Sequence, residues 1–143
     1  LFPIHADYNY TNILFGEHGE ARALLDFDNS LIDNPIHDLA QSLIYMGCVT
    51  LKKGTPFFHT IAPIQEDAHL MELFIHAYQK ANPNLYNKII PLLPLTARGV
   101  YFKIIVVGFL RRDFSAKSFL DYYHQMDAVI EFITDPVLKK AMV

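Results

Sequence analysis

Apolar and polar positions follow two different rhythms along the chain. Over roughly the first 35 residues, short apolar runs are separated by glycines and turn formers. Ile13-Leu14-Phe15 and Ala23-Leu24-Leu25-Asp26-Phe27 flank Gly16-Glu17-His18-Gly19-Glu20. That arrangement predicts a β-hairpin. After it the spacing turns helical. Ile36, Leu39, Ala40, Leu43, Ile44 and Gly47 fall on one helical face behind the start signal Asn34-Pro35. Lys52-Lys53-Gly54-Thr55-Pro56 predicts a loop, and a second helix is expected from about Ile64 to Lys80, ended by Asn82-Pro83. A third follows Pro83 and is interrupted around Pro91 to Pro94. A fourth runs from about Thr96 to Arg112 and is apolar on nearly every side, which predicts a central position. Ser115 caps a fifth, from Ala116 to Ile133, and Asp135-Pro136 opens a short last helix.

The fold class predicted is therefore mainly α: a helical bundle with a short N-terminal β-hairpin. It forms one domain over residues 1–143, divided into a hairpin part, 1–35, and a helical part, 36–143. Composition supports a folded core, since 52% of the 143 residues are hydrophobic and only 19% are charged. The net charge is −3 and the basic residues are scattered, so no stripe exists to neutralise a nucleic-acid backbone. The apolar run Ile104 to Leu110 is far shorter than the roughly 20 residues that cross a bilayer, and Lys103 and Arg111-Arg112 bracket it. The expectation is a buried helix and no membrane partner. Leu1-Phe2-Pro3-Ile4 has no charged leader ahead of it and no adequate apolar stretch, so no secretory signal is expected. Cys48 is the sole cysteine; it lies in an apolar stretch, reads as a buried thiol, and suits a reducing, cytoplasmic setting.

The chemistry concentrates in His5-Ala6-Asp7-Tyr8-Asn9-Tyr10-Thr11-Asn12, which has the spacing H-x-D-x-x-x-x-N. In phosphoryl transfer of the kinase type, such an aspartate orients or accepts the substrate hydroxyl, and the asparagine five residues on binds a magnesium ion. By itself the string also arises by chance. A further carboxylate is needed, and Asp26 is the candidate. With the turn centred near His18-Gly19, paired residue numbers sum to about 37 or 38, which sets Asn12 opposite Leu25 or Asp26. Strand alternation then puts Asp26 and Asp28 on one side and turns Leu25 and Phe27 towards the core. Hard oxygen donors of this kind suit Mg²⁺ or Mn²⁺ with phosphate oxygens and water.

The segments IHADYNYTNILF, LLDFDNS and DNPIHDLA together resemble the signature of the aminoglycoside phosphotransferase and choline kinase-like superfamily of small-molecule kinases. The motif resemblance covers residues 1 to about 45; beyond that it rests on the helical character of the chain. It implies a kinase-like C-terminal lobe, with ATP as co-substrate and a small-molecule hydroxyl as acceptor. It implies Asp7 as catalytic base, Asn12 and Asp26 as metal ligands, Asp28 as an accessory acid, Asp38 as the group that holds the loop through backbone hydrogen bonds, and His5 as its brace. Ala6 stands where the family more often has glycine. Asp28 stands where protein kinases have the glycine of Asp-Phe-Gly, which argues for a small-molecule kinase. No glycine-rich loop or strand lysine precedes His5, so the expected partner is a nucleotide-gripping lobe or a self-associating copy, and the isolated chain is expected to be inactive.

Plainer readings apply to other residues. His59, His69, His76 and His124 lack metal-ligand spacing, and His18 and His37 read as turn and helix-start residues. Glu66, Asp67 and Glu72 form an acidic patch that would suit a cationic acceptor, but a solvated helix face explains them more simply. The rival to an enzyme is a non-catalytic kinase-like helical module used for binding or dimerisation.

Overall fold

The structure, a computed structural model, describes residues 1–51, 58–65 and 68–141. It is mainly helical. The strands among the described residues form three separate antiparallel pairs. β1 (Phe2–Ile4) pairs with β4 (Leu31–Asp33), β2 (Ile13–Phe15) with β3 (Ala21–Leu24), and β5 (Val49–Leu51) with β6 (Phe58–Ile61). Only the β2–β3 hairpin is legible in the sequence. The loop expected at Lys52 to Pro56 lies outside the described residues. In the hairpin Ile13 opposes Leu24 and Leu14 opposes Ala23, and the Leu25 N–H donates to the Asn12 carbonyl at 2.8 Å. Asn12 therefore lies opposite Leu25, the first of the two expected registers.

The α-helices among the described residues are α1 (Ile36–Cys48), which precedes β5, and α2 (Ala68–Ala81), α3 (Pro83–Ile89), α4 (Leu93–Leu110), α5 (Ala116–His124) and α6 (Met126–Ala141), which come after β6. The apolar face foreseen for α1 is the one buried: Ile36, Leu39, Ala40, Leu43, Ile44 and Gly47 all face the core. That face packs against α4, which also meets α5 and α6. The break expected near Pro91 is a 3-10 turn, Ile90–Leu92, and Pro94 sits in the first turn of α4, where its missing N–H loses no helical bond. The helical stretch Pro83–Leu110 is long and apolar enough, by length and composition, to cross a membrane. Here Ala97, Val100, Tyr101, Ile104, Ile105 and Gly108 of α4 are buried within the bundle, the packing of a core helix.

Three expectations need correction. The fifth helix does not run to Ile133. It ends at His124, the chain turns at Gln125, whose N–H bonds to the Asp121 and Tyr122 carbonyls, and α6 passes straight through Asp135-Pro136. Val129, Ile130, Ile133 and Val137 form a continuous buried stripe across the proline. Burying these side chains, at roughly 1.5–3 kcal/mol each, outweighs the roughly 3 kcal/mol cost of an interior proline. Secondly, Leu25 and Phe27 do not enter the core; Phe27 is 57% exposed. The strand ends at Leu24 and Asp26 takes a left-handed conformation, φ 60°, so alternation does not extend that far. Thirdly, Asp28 lies in an exposed turn beyond the strand.

Two close features shape the bundle. α4 ends in a Schellman cap: the Asp113 N–H reaches the Gly108 carbonyl and the Arg112 N–H that of Phe109, with Arg112 at φ 61° where glycine is usual. Between α1 and α2, a Cβ on Gly47 would lie 2.2 Å from the sulfur of the fully buried Met71. Gly47→Ala gains about 1 kcal/mol of helix propensity but incurs an overpacking cost of about 1–3 kcal/mol. The expected outcome is a lower midpoint in urea unfolding for Gly47→Ala, and no loss or a gain when the same substitution is made in a Met71→Ala background, itself destabilised by truncation of a buried side chain. Independent, additive effects of the two substitutions would contradict that close contact.

Candidate active site

The segment between β1 and the 3-10 turn Tyr10–Asn12 owes its shape to a single carboxylate from the helical half. Asp38, in the first turn of α1, accepts the His5 N–H on Oδ2 and the Ala6 N–H on Oδ1, both at 2.8 Å. Ala6 sits at φ 60°, a left-handed conformation that costs an alanine roughly 1–2 kcal/mol and a glycine almost nothing. That is the physical reason a glycine is the easier residue there. Ser42 of α1 adds a second tie, with its hydroxyl near the Asp38 and Tyr8 carbonyls. The His5 ring joins the loop to the hairpin exit. Its Nε2 lies 2.8 Å from the Leu25 carbonyl, which only accepts, so Nε2 carries the proton, and Nδ1 takes the Asp7 N–H at 3.3 Å. The ring also packs on Phe27 at 4.8 Å between centroids.

The loop so held aims Asp7 at the helices. Its Oδ1 accepts from Gln41 Nε2 of α1 at 2.8 Å and from Asn9 Nδ2 at 3.1 Å. Its Oδ2 accepts from Asn12 Nδ2 at 3.0 Å. Three N–H donors thus fix the carboxylate plane, and Oδ2 keeps a lone pair for a further donor. Asn12 also donates to the Asp7 carbonyl at 2.9 Å. Both of its amide hydrogens are thereby committed to acceptors, which leaves its Oδ1 for an incoming group. Asn9, whose Oδ1 takes the Thr11 N–H and hydroxyl, caps the 3-10 turn that presents Asn12.

Asp7, Asn12 and Asp26 line one cavity of about 620 Å³, together with Asn29, Gln41, Tyr45, Lys103 and Arg111. The sequence-predicted Asp28 is not among its lining residues, and Asn29 takes that place. His5 and Asp38 also stand outside the lining, as supports of the loop. Of the acidic patch, Glu66 and Asp67 lie outside the described residues, and Glu72 is exposed on α2 away from the cavity. Gln41, Asn9 and Asn29 were not foreseen. Gln41 carries a usable signal: it is a polar residue directly after Asp38-Leu39-Ala40, one helical turn from Asp38. Burial pushes the Tyr45 hydroxyl well above the ordinary tyrosine range; Asp7 adds to the rise and Arg111 opposes it. Burial likewise pushes the Cys48 thiol up to about 12, so it is a core group and not a nucleophile.

A loop tied to the first bundle helix and a cavity lined by hard oxygen donors are the features that a comparison with known families has to account for. The model of the phosphotransferase enzyme family matches residues 2–86, which takes in the loop, the hairpin, α1 and α2. The chain belongs to that family. No curated protein and no solved structure matched the chain.

The clamp generates a prediction at position 6. Ala6→Gly is expected to leave stability unchanged or slightly raised, because relief of the left-handed strain offsets the entropy a glycine adds to the unfolded chain. Ala6→Val is expected to lower stability sharply, and Asp38→Asn to cost about 1–3 kcal/mol by setting an amide donor against a backbone N–H. Chemical denaturation of the three variants checks this. A valine tolerated as well as glycine would remove the left-handed turn from the account.

Proposed function

We propose that this chain is the catalytic half of an ATP-dependent kinase that transfers the γ-phosphoryl group to a hydroxyl of a small molecule. The observation that carries the reading is the cavity itself. Asp7 has an oriented carboxylate with one lone pair open, and the free Oδ1 of Asn12 and the carboxylate of Asp26 line the same space. These donors fit a Mg²⁺ or Mn²⁺ ion, which prefers hard oxygen ligands, and Asn12 and Asp26 would hold it. When bound, the metal offsets phosphate charge at the transferring group.

The chain's own residues supply positioning. Asp7 takes the acceptor hydroxyl on Oδ2 and receives its proton as the oxygen attacks. Gln41 and Asn9 hold that carboxylate in plane through Oδ1, so little reorganisation is needed when the hydroxyl arrives. The Asp38 clamp and the His5 brace hold the loop but touch no reactant. Asp28, in its exposed turn, has no place in this scheme.

The nucleotide grip is assigned to a second lobe seated on the β side. Phe2, Leu14, Phe15, Leu25, Phe27, Leu31 and Ile32, on or next to the first four strands, are exposed, Ile32 at 63%, and exposed apolar side chains of that kind suit an apolar partner face. The whole reads as a kinase-like C-terminal lobe, and the 143-residue chain alone is expected to turn over little.

Two measurements test the roles separately. Calorimetric titration of Mn²⁺ into the chain and its Asp26→Ala variant is expected to show weak binding that the variant loses; equal binding would take Asp26 out of the metal site. In the assembled two-lobe enzyme, Asp7→Asn is expected to lower kcat by about 10²–10⁴-fold in an ADP-release assay while nucleotide affinity holds. Unchanged turnover would overturn the base assignment.

A further inference from the structure

The wall facing Asp7 is basic. Val100, Lys103, Ile104, Val107 and Arg111 of α4 and its cap recur at helical spacing and line the cavity. Lys103 has no hydrogen-bond or ion-pair partner among the described residues. Arg111 stands at the far end of the face, about 12 Å along the helix by the usual rise. It is held there by Asp113, whose fully buried carboxylate lies 3.7 Å from Arg111 Nε. Ile104 and Val107 stand between the two cations; Ile104 is buried, and Lys103 itself is exposed, where an anion arriving from solvent can reach it.

We infer that the acceptor hydroxyl compound is an anion, a small hydroxylated acid whose carboxylate or phosphate group pairs with Lys103 while its hydroxyl lies at Asp7. This rests on the phosphotransferase reading and names the substrate class of the same site. An ammonium-bearing acceptor would place like charges together against Lys103. The acidic patch that favours such a cation is represented among the described residues by Glu72, which is outside the cavity. Gln41 and Tyr45 of α1 line the same cavity and add polar groups to it. The balance of the transfer is the ordinary one: the acceptor O–H proton passes to Asp7, the new O–P bond forms, and the bond to the β-phosphate oxygen of ATP breaks, leaving ADP.

The test is binding to the 143-residue chain by calorimetry, with four probes of similar size: D-glycerate, glycerol 3-phosphate, glycerol and ethanolamine. The expected result is binding of one or both anions, with glycerate and glycerol 3-phosphate separating a carboxylate site from a phosphate site, and no comparable binding of glycerol or ethanolamine. Lys103→Met is expected to weaken the anion by about tenfold, and Lys103→Arg to restore it. Absence of anion-selective binding, or an unaffected Lys103→Met protein, overturns the inference. So does a Lys103→Met protein that loses affinity for ATP and keeps it for the acid, since the lysine would then serve the nucleotide. The outcomes separate from those of the parent reading. Anion-selective binding with no transfer in the assembled enzyme sinks the kinase and leaves the site; transfer to ethanolamine sinks the anionic acceptor and leaves the kinase.

Discussion

Everything at the site depends on one carboxylate reaching across the chain. Asp38 belongs to α1, yet it binds two consecutive backbone N–H groups that lie 33 and 32 residues earlier. The left-handed turn at Ala6 comes directly after the two clamped N–H groups and swings the next peptide round, so that the Asp7 N–H meets His5 Nδ1. The conformation that costs energy locally is therefore the one that turns the chain from the clamp into Asp7. With the clamp in place, the His5 ring meets the Leu25 carbonyl, Asp7 meets Gln41, and Asn12 meets Asp7. Without it the segment has short β1 pairing and no regular partner of its own.

The helical half was legible because its apolar stripes are long. The face of α1 appears in the sequence residue for residue; α4 is legible as a helix through the bundle, though it runs Leu93–Leu110 and leaves Phe102, Phe109 and Leu110 exposed. Where apolar periodicity competes with a local breaker, the local signal misleads. Pro136 looks like a helix start, but the stripe from Val129 to Val137 carries the helix past it. Gln125 carries no breaker at all, and the corner there is set by packing of α5 and α6 against α4. Three-residue strands such as β1, β4 and β5 are too short to show a period of two, so their pairing could not be read.

At the site, the sequence spacing picks out Asp7, Asn12 and Asp26, and all three line one cavity. Asp28 lies in a turn past the end of β3, outside that lining. The left-handed turn at Asp26 changes which later side chain faces inward, and Asn29 comes in instead. Lys103 and Arg111 lie too far away in sequence for any spacing rule. They reach the cavity through the packing of α1 on α4, a contact that only the folded bundle defines.

The Asp38 clamp also changes what the loop after β1 reports. Amide protons in irregular segments beside short strands ordinarily exchange with solvent almost freely. The His5 and Ala6 amides are held instead by a side chain rooted in α1. Their protons are released when α1 itself opens, so they keep time with the core of the bundle and not with the strand in which they begin.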